Sequence, residues 1–247
     1  MTSPLLQIHQ LVVGFPDRRL SSPISLNIPS GARLGIIGGN GTGKTTLMKT
    51  LMGLLPPIRG QVKWRPGARL GYVPQENQVN MLFPIRVFDL LKMGLFPQLP
   101  RLRKTNRRLT EASHEILSEM EIAHLAKSLV RDLSGGERQR ALIARAWISK
   151  PDVLVMDEPF NSLDHAFKAK LDKIFSAWQA RHELAVIMID HDLNRIINQV
   201  DYLIVLGARG TLYGPTREVL TPQNLSETYG APLHVHEEDG CLQVHFL

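Results

Sequence analysis

The segment that most constrains this chain is Leu34-Gly35-Ile36-Ile37 running into Gly38-Gly39-Asn40-Gly41-Thr42-Gly43-Lys44-Thr45, and then into residues spaced for a helix. It matches GxxxxGK[ST], in the context of a short apolar strand before it and a helix after it. Glycines at these positions let consecutive backbone N–H groups turn toward one anion, and the helix N-terminus adds its partial positive charge. Lys44 adds a full charge, and the Thr45 hydroxyl is a ligand type suited to Mg²⁺. Thr46 extends the same first turn. A strand, a glycine loop and a helix in this order form a phosphate-binding unit, so the fold around it is α/β.

The chain has 247 residues, 43% of them hydrophobic, enough for one large domain or a core with a subdomain. No window reaches the ~18 consecutive apolar residues of a membrane span, and the N-terminus lacks a basic region followed by an apolar run. A single cysteine, Cys241, excludes an internal disulfide. A cytoplasmic protein is expected. The net charge of +6 includes the cluster Arg101, Arg103, Lys104, Arg107 and Arg108. The cluster could face phosphates or anionic lipid, but no aromatics interleave there for base stacking, so a solvated loop is the favoured reading and nucleic acid is not indicated.

Strand-length apolar runs at Leu6–Val13, Ile24–Ile28 and Leu34–Ile37 place β structure first, and Leu47 and Leu51, four apart before Gly53, predict a helix over Thr45–Met52. From about residue 77 to 133 the pattern turns helical, with Val87, Leu90 and Leu91 on one stripe and Ile116, Leu117 and Met120 on another. The β/α alternation then resumes with a strand at Val153–Met156, a helix around Ala166–Arg181, and strands at Ala185–Ile189 and Tyr202–Leu206. The expectation is one domain over 1–247, an α/β core of 1–76 and 134–247 with an inserted helical subdomain at 77–133. The end from about residue 231 is weakly patterned.

Two strands end in groups that bear on phosphate chemistry. Val153–Met156 leads to Asp157-Glu158-Pro159; ligands of open α/β sheets sit at the carboxyl ends of strands. Asp157 suits Mg²⁺, and an adjacent carboxylate, Glu158, suits a base that polarises water. Ala185–Ile189 leads to Asp190-His191-Asp192. A histidine placed there can reach the γ-phosphate, although taken alone His191 reads more readily as a structural or surface histidine.

Together these segments resemble the ATP-binding cassette (ABC) ATPases over nearly the whole chain and in the right order: Gly38–Thr45, "GYVPQE" with Gln75, "LSGGE" at Leu133–Glu137, "VLVMDEP", "NSLD" ending in Asp164, and His191. The resemblance implies a P-loop NTPase core, a RecA-like mixed sheet with an N-terminal antiparallel β subdomain, plus the helical insertion. It also implies ATP and Mg²⁺ as ligands. Gln75 would sense the γ-phosphate and Mg²⁺, Glu158 act as base, His191 as γ-phosphate switch, and Asp164 as a link between subunits. Phe15, just before the second strand, takes the position of the adenine-stacking aromatic.

Ser134-Gly135-Gly136-Glu137 fits the capping box S-x-x-E, which accounts for the serine and the glutamate but not the glycines. Glycine in a helix costs roughly 1 kcal/mol. The resemblance supplies a reason: Ser134, Gly135 and Gly136 would cradle ATP bound to a second copy, so ATP-dependent homodimerisation is expected. The family usually has Gln where this chain has Glu137. At ~8 Å and an effective dielectric of about 20 its charge would repel each phosphate charge by ~2 kcal/mol, unless the capping box turns it away, as we expect.

A cassette without a membrane span fits the energising subunit of a transporter, peripheral on the inner face of the membrane through permease subunits and served indirectly by a solute-binding protein. "FPIRVFDLLKMG" resembles importers of manganese, zinc or iron chelates, and importers of ferric siderophores, haem and cobalamin have similar segments. The alternative is a soluble ABC ATPase that moves no solute, in cluster assembly or another mechanochemical role; the long coiled coil of repair types and the doubled cassette of translation types are absent from this sequence. Asn198-Gln199-Val200-Asp201 lies one residue from the guanine-reading NKxD, but precedes a strand where that motif should follow one. In the tail, "HVHEED" with His234, His236, Glu237 and Glu238 holds metal-ligand types, although a disordered polar end is the expected state.

Overall fold

The computed structural model describes residues 3–75, 84–95, 107–190, 192–238 and 240–246, without the side chains of 107–109 and 246. The chain forms two compact units, Met1–Ala68 with Ala185–Leu247, and Arg69–Leu184. These boundaries differ from the 76/77 and 133/134 divisions expected from the change in hydrophobic periodicity: they group the carboxylate strand and its helix with the helical segment.

The first unit begins with β1 (Leu6–Val12), β2 (Gly14–Phe15), β3 (Arg18–Arg19), β4 (Ile24–Ile28), β5 (Arg33–Gly38), α1 (Lys44–Leu51) and β6 (Arg59–Trp64). β1 is the centre of an antiparallel sheet in the order β4–β1–β6, paired Leu6↔Ile28 on one side and Leu6↔Trp64 on the other. The expected N-terminal antiparallel β subdomain is therefore present. β6 is exposed along most of its length, which is why no apolar run announced it. α1 ends at Met52 before Gly53, which has the φ of +75° that stops a helix.

The second unit contains β7 (Leu70–Val73), α2 (Val87–Met93), α3 (Arg107–Glu119), α4 (Gly135–Trp147), β8 (Val153–Asp157) and α5 (His165–His182). β7 and β8 are parallel, Leu70↔Val153 to Val73↔Met156. The anticipated helical stripes are buried: Val87, Leu90 and Leu91 on α2, Ile116 and Leu117 on α3 with Met120 just beyond it. Trp147 of α4 and Trp178 of α5 stack at 4.0 Å between centroids, and the Trp178 indole N–H donates to Glu119 at 3.2 Å. A buried indole is thus packed on its face and satisfied at its polar edge.

The first unit resumes with β9 (Ala185–Ile189), α6 (Leu193–Ile196), β10 (Tyr202–Leu206), β11 (Thr211–Pro215), α7 (Thr216–Val219), α8 (Pro222–Tyr229), β12 (Leu233–Glu238) and β13 (Cys241–Phe246). β10 and β9 flank β5 in parallel, Ile204↔Ile36 and Ile187↔Leu34, and β11 closes the edge antiparallel to β10. This mixed α/β arrangement, with parallel strands feeding a glycine loop, is the P-loop NTPase core expected. β5, β9 and β10 are buried nearly throughout, as strands covered on both faces must be.

The tail departs from expectation. Instead of a disordered polar end it is an antiparallel hairpin, registered Leu233↔Phe246 through Glu238↔Cys241. Leu233 and Val244 are buried while His234, His236 and His245 are exposed, a period-2 pattern interrupted in sequence by the turn.

Candidate nucleotide site

In the first unit, β5 delivers the chain into a loop where Gly38, Gly41 and Gly43 have φ of +154°, +75° and +102°. A Cβ on Gly38 would lie 2.3 Å from the Leu206 carbonyl and 2.7 Å from Thr42 Oγ1, so both conformation and space demand glycine there. Lys44 folds back over this loop and donates to the carbonyls of Gly38 and Gly39, each at 2.9 Å. Thr42 Oγ1 donates to Gly39 at 2.9 Å. Gly43 is the N-cap of α1 and no side chain caps that helix, while Lys44, Thr45 and Thr46 form its first turn. The arrangement supplies backbone donors, an ammonium and a hydroxyl around one loop, suited to a polyphosphate. Phe15, on the short β2, is 54% exposed, consistent with a face left for stacking.

At the end of β9, Asp190 is buried and pairs with Arg195, and it accepts from the Asp192 backbone N–H at 2.9 Å. Asp192 caps α6 by accepting from the Arg195 N–H. Both aspartates therefore have structural partners, whereas His191 lies outside the described residues.

In the second unit, β8 is buried along its whole length and ends at Asp157, 2% exposed. Glu158 follows with φ of +51°, a left-handed conformation rare for a residue with a side chain. Its carboxylate accepts from Gln75 Nε2 at 2.9 Å and from Asn161 Nδ2 at 2.5 Å. The structure thus joins two expected site residues that are 83 apart in sequence. Asn161, the first residue of "NSLD", carries a contact that the motif alone does not assign; a short amide three residues after the glutamate is its signal in the sequence. Around Asp157, burial and then the aspartate's charge push the Tyr72 phenol above its usual range. Burial lowers Arg145, whose guanidinium donates to the Tyr72 carbonyl at 3.0 Å.

Ser134 is the N-cap of α4 and the capping box is formed. The Glu137 carboxylate accepts from the Ser134 backbone N–H at 2.9 Å and from its hydroxyl at 2.7 Å, and Ser134 Oγ accepts from the Glu137 N–H at 3.4 Å. Glu137 is folded back on the helix start, as expected, and these hydrogen bonds hold its carboxyl below the ordinary range. Neither Gly135 nor Gly136 has positive φ. A Cβ on Gly136 would lie 3.0 Å from the Ser162 carbonyl, a packing reason for that glycine which sequence reasoning did not reach. Asp164 caps α5 by accepting from the Phe167 N–H at 2.8 Å, the main cause of its lowered pKa, and pairs with Arg140 at 3.2 Å. Arg140 also meets Glu121 and lies 3.7 Å over the Phe167 ring.

Asn198 and Asp201, the near-match to a guanine motif, serve the fold. Asn198 bonds both backbone groups of Leu242, and Asp201 accepts from the Arg33 N–H at 2.8 Å.

Comparison with known proteins agrees with this geometry. Residues 21–161 match the ABC transporter family, a span that includes the glycine loop, Gln75, Ser134–Glu137, Asp157 and Glu158. The chain is 32% identical to the manganese transport system ATP-binding protein MntB of Bacillus subtilis (strain 168) over 92% of its own length and 93% of that protein. It is also 32% identical to the zinc import ATP-binding protein ZnuC of Pseudomonas fluorescens (strain Pf0-1), over 99% and 92%. A solved chain from an inward-facing ABC transporter of metal-chelate type superposes with a TM-score of 0.84 at 25% identity, covering 99% of this chain and 97% of that one. With a family match over more than half its length and relatives above 30% identity along nearly all of it, the chain belongs to the ABC transporter family, as one of its ATP-hydrolysing, ATP-binding subunits.

Proposed function

We propose that this subunit energises import of a metal ion or metal chelate across the cytoplasmic membrane. The reading is supported by relatives named for manganese transport and zinc import. Permease subunits would form the pathway and hold the chain on the inner face, with a solute-binding protein delivering the cargo. Among the described residues no helix is long and apolar enough to cross a membrane, which fits that division of labour.

For the chemistry, the observation carrying most weight is the Gln75–Glu158 hydrogen bond at the end of a buried strand. Glu158 is the base that orients water toward the γ-phosphate, and Gln75 positions its carboxylate. Lys44 and the backbone donors of Gly38, Gly39, Asn40, Gly41, Thr42 and Gly43 hold the phosphates, with Thr45 and Thr46 in the helix turn that follows. His191 holds the γ-phosphate, and Phe15 stacks on adenine. A hydroxyl, a carboxylate and an amide oxygen are hard donors that fit Mg²⁺, so Thr45, Asp157 and Gln75 would hold that ion, which supplies charge neutralisation at the phosphates. In a homodimer formed on ATP binding, Ser134, Gly135, Gly136 and Asp164 face the nucleotide of the other copy.

Elemental analysis of cells lacking this chain, complemented with the native protein or with Glu158→Gln, tests the cargo. Restored manganese or zinc content with the native chain alone is expected. Unchanged metal content in all strains would overturn the metal reading while leaving the ATPase assignment intact.

A further inference from the structure

The C-terminal hairpin carries a set of side chains that nucleotide chemistry does not use. Because β12 and β13 are antiparallel, directly paired residues share a face: His234 lies opposite His245, His236 opposite Gln243, and Glu238 opposite Cys241. All six therefore project from one side, with Leu233 and Val244 buried on the other. His236 and His245, diagonal neighbours, have ring centroids 5.0 Å apart. Directly paired residues are ~5 Å apart and same-face neighbours along a strand ~7 Å, so three imidazoles from three adjacent positions can reach one point.

Two features set this face apart from a chance scatter of histidines. First, Gln243 Nε2 donates to Glu238 Oε2 at 3.4 Å, which leaves Gln243 Oε1, an acceptor only, as the partner of His245 Nε2 at 3.3 Å. His245 Nε2 must then carry the proton, and in the neutral ring the lone pair is on Nδ1. A second atom that fixes tautomer and ring orientation is the usual support of a metal-ligating histidine. Second, the free edge of β13 is held by side chains. Asn194 accepts from the Val244 N–H at 2.7 Å and donates to its carbonyl at 3.2 Å; Asn198 does the same for Leu242, both at 2.8 Å. The strand bearing His245 is thereby fixed to α6 and the helical turn after it.

We infer that His234, His236 and His245 form a surface site for a divalent transition metal ion on the outer face of this hairpin. Imidazole suits zinc, copper and nickel, and three histidines leave a fourth position for water. Among the described residues no three His, Cys, Asp or Glu side chains are already arranged around one point. The site forms by rotation of the exposed His234 and His236 rings toward Nδ1 of His245, which Gln243 already holds, since His236 and His245 are stacked rather than convergent.

Zn²⁺ alone, titrated into the full, tag-free chain without nucleotide and followed by competition with a chromophoric chelator, tests it. One zinc per chain is expected, with each of His234→Ala, His236→Ala and His245→Ala weakening it at least tenfold while ATP affinity is unchanged. Zinc should also shift the ring-proton resonances of these three histidines in the native chain, a measurement that needs no variant. Affinity of the triple variant within threefold of native, or resonance shifts confined to other histidines, would overturn the site.

Discussion

The Gln75 side-chain amide donates to the Glu158 carboxylate across 2.9 Å, and Asn161 donates to the same oxygen from three residues downstream. A carboxylate held by two amides is oriented before any substrate arrives, which suits the base role proposed for Glu158, and the left-handed backbone there is part of that placement. Glu158→Gln is expected to retain ATP binding and lose turnover by 10²-fold or more, the usual range for a general base. Lys44→Ala is expected to lose binding itself. Equal loss of nucleotide affinity in both, measured by equilibrium titration, would contradict the separate roles.

Gln75→Ala leaves the carboxylate with the Asn161 bond and should lower kcat by roughly 10- to 150-fold with little change in nucleotide affinity, as expected when one charge-assisted hydrogen bond of ~1.5–3 kcal/mol is lost. Gln75→Ala and Asn161→Ala combined should show less than additive loss, because both act on one oxygen. A strictly additive double variant in steady-state kinetics would show that they act independently.

The reciprocal bonds of Ser134 and Glu137 make a local prediction about stability. Ser134→Ala removes a helix cap and should cost about 1 kcal/mol in denaturant unfolding. Since the Glu137 carboxylate is already engaged by Ser134, Glu137→Gln should change ATPase activity by well under tenfold. A tenfold increase would show that its charge is felt by nucleotide.

The same contact fixes a pH dependence. The folded-state pKa of Glu137 is lowered by the Ser134 hydrogen bonds, so its contribution is present above the unfolded carboxylate value of about 4.3 and is lost as pH falls through the lower folded value. The thermal midpoint of the native chain should therefore fall more steeply than that of Glu137→Gln as pH drops below about 4. Parallel curves would count against the contact in solution. Because the carboxylate is solvent-accessible, the difference should shrink further in high salt.

Asn194 and Asn198 each satisfy a backbone N–H and carbonyl on the edge of β13. Replacing both by alanine should speed amide exchange at Leu242 and Val244 by tenfold or more while ATP binding is retained. Unchanged exchange at these two amides would mean that packing, not the clamps, holds the hairpin.

Read alone, the sequence determined the phosphate loop, the buried strands ending in Asp157 and Asp190, the capping box and the order of motifs, because each rests on neighbours within a few positions. Glycines at positive φ, period-2 strands and S-x-x-E are local codes. What only the tertiary structure decided involves partners distant in sequence or not distinguished by type. Gln75 meets Glu158 through two parallel strands, and a Cβ at Gly136 would press on the Ser162 carbonyl at 3.0 Å. Asn198 proves to be a strand clamp, and the polar tail is a hairpin whose open edge two asparagines complete. Burial and cross-strand pairing are properties of the folded chain, and a one-dimensional pattern does not record which polar group will satisfy another.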